Sequence, residues 1–249
     1  MSLFTKRTKR GLSFEQGKNH LLSEESPFAI QEAYKAIRTN VMFSIPEEKC
    51  KKIVITSSVQ AEAKSTTAVN LGIAFAQNNT KVLVIDCDLR RPVIASQLHI
   101  VQAPGLTNLL VGMCSAKEAI RHMSNGLDVI PAGDIPPNPS ELLGSAKMQK
   151  LLESLEDYYE YILIDTPPVT AVSDAVILAK QTSGVVVVAR QGLATQETIG
   201  ETLNKLKFSE ANILGFVLTD VKNEKLRRYR KGYYGYSYAA ASVSSQQSK

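Results

Sequence analysis

The chain has 249 residues, 44% of them hydrophobic, and a net charge of +5, a length that fits one larger α/β domain with a substantial core. It contains no apolar run of the roughly 18 residues that a membrane span needs, and its opening MSLFTKRTKRG is too polar for a secretory signal. Cys50, Cys87 and Cys114 lie far apart, as do His20, His99 and His122, which argues against a disulfide framework or a Cys/His zinc cluster and points to a reducing, cytoplasmic setting.

In chain order, residues 1–26 show no sustained periodicity and read as a flexible basic lead-in, with a net +4 over residues 1–20. From Pro27 a helix is predicted, with Ile30, Ala33, Ile37 and Val41 at three- and four-residue spacing. Apolar, β-branched strands are predicted at 52–57, 81–86, 127–131, 160–165, 184–190 and 212–218, most of them separated by helical stretches, notably at 65–78, 145–157 and 195–208. Such strands alternating with helices predict an α/β fold, a mostly parallel sheet with helices on both faces. The Pro- and Gly-rich stretch 131–139 opens no new domain, so residues 27–222 are expected to form one unit. Residues 223–249 turn basic, then Tyr/Gly-rich, then Ser/Gln-rich, and a flexible tail is expected. Residues 222–249 carry a net +6, which leaves −5 for the body. Basic ends of this kind suit nucleic acid or an anionic membrane leaflet, or serve solubility alone.

The stretch SSVQAEAKSTTAVN, residues 57–70, places Lys64 in the first turn of a predicted helix. A lysine there opposes the helix dipole, and a bound phosphate would resolve the conflict. The pattern is that of a phosphate-binding loop, G-x-x-x-x-G-K-[ST], with Ser58 and Ala63 standing where the glycines belong. Asp86 ends the strand KVLVID, Asp88 follows two residues on, and Asp165 ends EYILID. Ligands of doubly wound sheets bind beyond the carboxyl ends of the strands. Three carboxylates beside a lysine and hydroxyls suit phosphates with magnesium, which prefers oxygen ligands.

The stretches ITSSVQAEAKSTTAVNLG, VLVIDCDLRRP and ILIDTPP take the places of Walker A, Walker A′ and Walker B. With SPFAIQEAYKAIRTNVMFS, PPNPSELL and the tyrosine-rich tail, they make the chain resemble the bacterial tyrosine kinases of capsule and exopolysaccharide synthesis over about residues 25–238. Related ATPases of division-site placement and plasmid partition share the P-loop fold. They carry an additional lysine early in the loop, which Ser58, Val59 and Gln60 do not supply.

The resemblance implies ATP or ADP with Mg²⁺ as cofactors. The nucleotide loop would comprise Ser58, Val59, Gln60, Ala61, Glu62, Ala63, Lys64, Ser65 and Thr66. Lys64 would contact the β- and γ-phosphates, Ser65 the metal, and Thr66 the α-phosphate side. Asp86 would act as base towards the attacking tyrosine and approach the metal, with Asp88 and Asp165 completing the metal environment. A phenol with a pKa near 10 needs such a positioned carboxylate at neutral pH, and the remaining work is neutralising the transferring phosphoryl group. The implied acceptors are Tyr229, Tyr233, Tyr234, Tyr236 and Tyr238, five of the chain's nine tyrosines within ten residues. Taken alone, that Arg/Tyr segment also suits single-stranded nucleic acid; the resemblance implies none.

Glu32, Lys35 and Arg38 occupy the place of the family's inter-subunit contact, which implies a homo-oligomeric ring. Lys35 replaces an arginine there and loses its bidentate fork. A membrane adaptor of the polysaccharide co-polymerase type is implied as activator, holding the chain at the inner face of the cell membrane, along with a cognate phosphotyrosine phosphatase. The family's loop reads Pro-Gly-x-Gly-Lys, against Gln60-Ala61-Glu62-Ala63-Lys64 here. Position 61 is expected at positive φ, which costs an alanine roughly 1–2 kcal/mol, and a methyl group at 63 approaches the phosphates. Nucleotide affinity is therefore expected to be lower by about one to two orders of magnitude. Two other readings stay open: a nucleotide-impaired homologue that acts through assembly, and a partition- or division-type ATPase.

Overall fold

The computed structural model describes residues 21–45 and 48–221. The lead-in before residue 21 and the tail from residue 222, with all five candidate acceptor tyrosines, lie outside the described residues. In chain order the elements are α1 (Phe28–Ser44), β1 (Lys51–Ser57), α2 (Lys64–Ala76), β2 (Val82–Asp86), α3 (Ile94–Leu98), α4 (Leu106–Val111), α5 (Ala116–Ala119), β3 (Arg121–His122) and β4 (Asp128–Ile130). They continue with α6 (Pro139–Leu143), α7 (Ala146–Leu155), β5 (Tyr161–Asp165), α8 (Asp174–Ala179), β6 (Gly184–Arg190), α9 (Gln196–Phe208) and β7 (Ile213–Thr219).

The strands form one sheet in the order β3-β4-β2-β5-β1-β6-β7. All neighbours run parallel except β3, which pairs antiparallel with β4. The six predicted strands are present with ends shifted by a residue or so. The added β3 is a two-residue edge, Arg121–His122, too short and polar to show a strand period. Alternate side chains of the central strands enter two cores. Val54, Ile85, Ile164 and Val187 pack with α4 to α9, while Ile53, Ile55, Val84 and Val188 pack with α1, α2 and α3. Helices thus cover both faces, which keeps the long apolar strands dry.

The approach of α2 to the sheet is set by Gly72. A Cβ there would lie 2.8 Å from Val84 Cγ2 and 2.9 Å from Leu127 Cδ1, closer than packed carbons come. At the far end of α2, Phe75 stacks on Tyr161 with ring centroids 4.1 Å apart. The consequence for function is positional. The chain leaves β1 into the loop that opens α2, and β1 sits between β5 and β6, so the loop emerges beside the carboxyl ends of β2 and β5.

Candidate nucleotide site

Asp86 and Asp165 are register partners at the ends of β2 and β5, which places their carboxylates side by side. Lys64, the first residue of α2, reaches across to them. Its Nζ donates to Asp88 Oδ2 at 2.8 Å, to both Asp165 oxygens at 3.4 Å and to Ser65 Oγ at 3.2 Å. Ser65 Oγ in turn donates to Asp165 Oδ2 at 2.5 Å. Asp86 accepts two main-chain N–H groups, from Asp88 at 3.1 Å and Ile94 at 3.2 Å, and Asp88 accepts that of Arg91 at 3.1 Å. Asp86 therefore shapes the turn that presents Asp88.

The charges here are buried, and burial governs them. Desolvation, followed by the neighbouring Asp165, pushes the Asp86 carboxyl up to about 8. Burial likewise raises Asp165, against the pull of Lys64 and Ser65. For Lys64, burial works against the ammonium, yet Asp165, Asp88 and Asp86 together lift its pKa above the ordinary value. Lys64 stays charged and faces three carboxyl groups, of which burial favours the protonated form at Asp86 and Asp165. A dication among these oxygens would favour their ionised forms.

The loop before Lys64 carries the conformation that glycine normally supplies. Ala61 has φ +65° and Ala63, the N-cap of α2, has φ +68°. The sequence pattern pointed to positive φ at position 61 alone; here both alanines are left-handed. For residues with a Cβ, that conformation costs roughly 1–2 kcal/mol each. No side chain caps α2, and no acidic residue stands in its first turn, so the leading amides lack the usual protein partners.

A cleft of about 350 Å³ opens over this loop, walled by Ala61, Ala63, Lys64, Thr66, Asp88 and Pro168 among others. Of the three aspartates, Asp88 lines it; Asp86 and Asp165 are fully buried. Thr66 Oγ1 accepts from Gln97 Nε2 at 3.3 Å, and Gln60 Oε1 accepts from Arg91 Nη1 at 3.2 Å. Ser58 is buried; its carbonyl accepts from Thr170 Oγ1 at 2.5 Å, and its hydroxyl has no hydrogen-bond partner. Val59 and Glu62 bond to each other across the loop. Among the described residues, no three His, Cys, Asp or Glu side chains form a ready-made metal cage. That fits magnesium, which takes one or two carboxylates together with substrate phosphates. The oxygen donors of Ser65, Asp88 and Asp165, beside an uncapped helix start, match a nucleotide–metal pair.

The comparisons with known proteins agree with this geometry. Residues 50–214 match the family described as an AAA domain. The chain is 36% identical over 230 residues to tyrosine-protein kinase YwqD of Bacillus subtilis, covering 92% of this chain and 95% of that one. The chain belongs to the bacterial tyrosine-kinase family. Its structure matches the kinase domain of Escherichia coli tyrosine kinase ETK with a TM-score of 0.77 at 32% identity, covering 88% of this chain and 84% of that domain. Against the Escherichia coli kinase etk as a whole it is 36% identical and spans 26% of that longer protein.

Other site residues of this kinase fall differently. Glu32 and Lys35 form an exposed ion pair on α1, 2.8 Å apart. Arg38 does not continue that stripe: its Nη1 donates to the Ala74 carbonyl of α2 at 2.7 Å. Residues that the motifs did not flag also border the loop. Arg190, at the end of β6, donates to the Ala61 carbonyl at 3.2 Å and pairs with Asp220 at 3.1 Å. A basic residue closing the apolar run GVVVVAR was the available signal.

Proposed function

We propose that this chain binds ATP with Mg²⁺ in the cleft over residues 58–66 and transfers the γ-phosphoryl group to tyrosines of its own C-terminal cluster. The observation that carries this is the convergence of Lys64, Ser65, Asp88 and Asp165 at the uncapped start of α2. Lys64 neutralises phosphate charge, while Ser65, Asp88 and Asp165 hold the metal, which when bound offsets charge on the transferring group. Asp86 serves as proton acceptor; its raised pKa of about 8 favours the protonated form at neutral pH, and the charge of a bound metal would lower it towards the carboxylate that this role requires. Asp86 is fully buried and does not line the cleft, so this role requires the residues around it to move before a tyrosine hydroxyl reaches it.

The tail cluster of Tyr229, Tyr233, Tyr234, Tyr236 and Tyr238 supplies the acceptors. The transfer regulates capsule or exopolysaccharide synthesis, with a membrane adaptor as activator, a ring of copies that presents tails to neighbouring sites, and a phosphatase that resets them. The longer relative etk, of which this chain spans a quarter, supports an adaptor that stands in for the remainder. In that setting the chain sits in the cytoplasm against the membrane; no helix among the described residues is long and apolar enough to cross it. Incubation with Mg-ATP followed by mass spectrometry of the tail tests the reading. Phosphotyrosine is the expected result. Nucleotide binding with an unmodified tail would favour the assembly-only homologue, a reading to which the alanine loop lends support. Phosphate release with an unmodified tail would favour a partition-type ATPase.

A further inference from the structure

The phosphate loop contains a buried carboxylate that phosphate binding does not call for. Glu62 is 1% exposed and stands between the two left-handed alanines. Its Oε2 accepts the N–H of Val59 at 2.9 Å, across the loop, and its Oε1 accepts the N–H of Arg190 at 3.3 Å, at the end of β6. The Glu62 carbonyl accepts from Thr219 Oγ1 at 3.1 Å, and the Ala61 carbonyl accepts from Arg190 Nη1 at 3.2 Å. Three of these bonds join residues 61–62 to β6 and β7, and the fourth closes the loop on itself.

A negative charge placed inside a phosphate loop repels the ligand, and burying it sacrifices hydration. Both penalties are tolerable only if the carboxylate holds something the loop needs. What the loop lacks is glycine, the residue that reaches positive φ without strain. We propose that Glu62, anchored by Arg190, is a positioning residue that locks the glycine-free loop in its left-handed conformation before any nucleotide arrives. Strain at Ala61 and Ala63 is then carried by the folded state and not charged to binding. Glycines at those positions make the lock dispensable.

The test uses Glu62→Ala and the near-isosteric Glu62→Gln, which turns an N–H₂ group towards an N–H donor, each in the native loop and in an Ala61→Gly/Ala63→Gly background. In the nucleotide-free protein, the amides of Val59 and Arg190 should exchange about tenfold faster in both variants. With Mg-ATP, the native-loop variants should bind about tenfold more weakly. In the glycine background the affinity loss should shrink to about threefold or less. Unchanged amide exchange would overturn the proposal, and so would an equal affinity loss in both backgrounds. Glu62→Gln keeps shape and size, so it reports even if Glu62→Ala fails to fold. The affinity arm rests on the nucleotide reading above. The exchange arm does not, so absence of nucleotide binding by the native protein would reject that reading while leaving the lock to be judged on exchange.

Discussion

The helices α2 and α1 pack against each other and behave in opposite ways. Of the 13 residues of α2, 11 are buried, and the helix starts with a backbone that its own residues disfavour. α1 has 17 residues, keeps regular helical spacing and buries one side chain, Val41. Its Ile30 and Phe43 remain 45% and 86% exposed. Local rule-breaking with full burial coincides with the proposed nucleotide site. Local regularity without burial leaves α1 free for the assembly proposed above.

The largest way to break the comparison is Lys64→Met. Lys64 is the cation between Asp88 and Asp165, whose side chains are 9% and 0% exposed. Removing it leaves buried carboxylates unpaired, which should cost about 3–5 kcal/mol in nucleotide-free denaturant unfolding. Nucleotide binding should be lost as well. A stability loss below about 1 kcal/mol would mean that the carboxylates simply take up protons. On α1, deleting the exposed Lys35 should cost no more than about 0.5 kcal/mol.

A second effect sharpens the electrostatic side. The folded-state pKa of Asp86 is raised from 3.8 to about 8, so the folded protein holds a proton that the unfolded chain releases at lower pH. Its contribution to stability is present below 3.8, declines as pH rises and is gone once pH passes about 8. Thermal unfolding without Mg²⁺ or nucleotide should therefore show a midpoint that falls as pH approaches about 8. Asp86→Asn, which cannot ionise, should flatten that decline. An identical slope in both proteins would assign the pH dependence elsewhere.

The central strands were legible because their apolar runs are long and unmixed, and so were Asp86 and Asp165, which stand where two of those runs end, and Lys64, which opens the helix after another. α3, α4, α5, α6 and α8 have four to six residues each, too few turns for a helical period to show. The contacts of Glu62 with Arg190 join positions 128 apart in sequence, and no local pattern announces such a bond. Ala63 was a different kind of miss. Its residue type argues against positive φ, and tertiary contacts overrode that preference.

Restoring glycine at 61 and 63 separates strain borne in folding from strain borne in binding. Each left-handed alanine costs roughly 1–2 kcal/mol, and a glycine gives back about 0.5–1 kcal/mol of that through the flexibility of the unfolded chain. The double variant should gain about 1–2 kcal/mol of stability in all. Its Mg-ATP affinity in calorimetry should change by less than about threefold. A tenfold gain in affinity with no change in stability would place the strain at the binding step.

The smallest expected effects lie on α1, and they divide its three polar residues. Arg38 donates to the Ala74 carbonyl in the last turn of α2, where a cation also meets the negative end of the helix dipole. Arg38→Ala should therefore cost about 1 kcal/mol in unfolding of the monomer. Glu32 and Lys35 pair with each other on the surface, 39% and 51% exposed, and either change to alanine should cost at most about 0.5 kcal/mol. If copies assemble through this helix, as proposed, Glu32→Ala and Lys35→Ala should lower the sedimentation mass while leaving the fold intact. Arg38→Ala should disturb both together, because one side chain serves the monomer and the interface. Unchanged mass in all three variants would assign α1 no role in assembly. Lysine at the exposed Ile30 or Phe43 should leave monomer stability within about 0.5 kcal/mol.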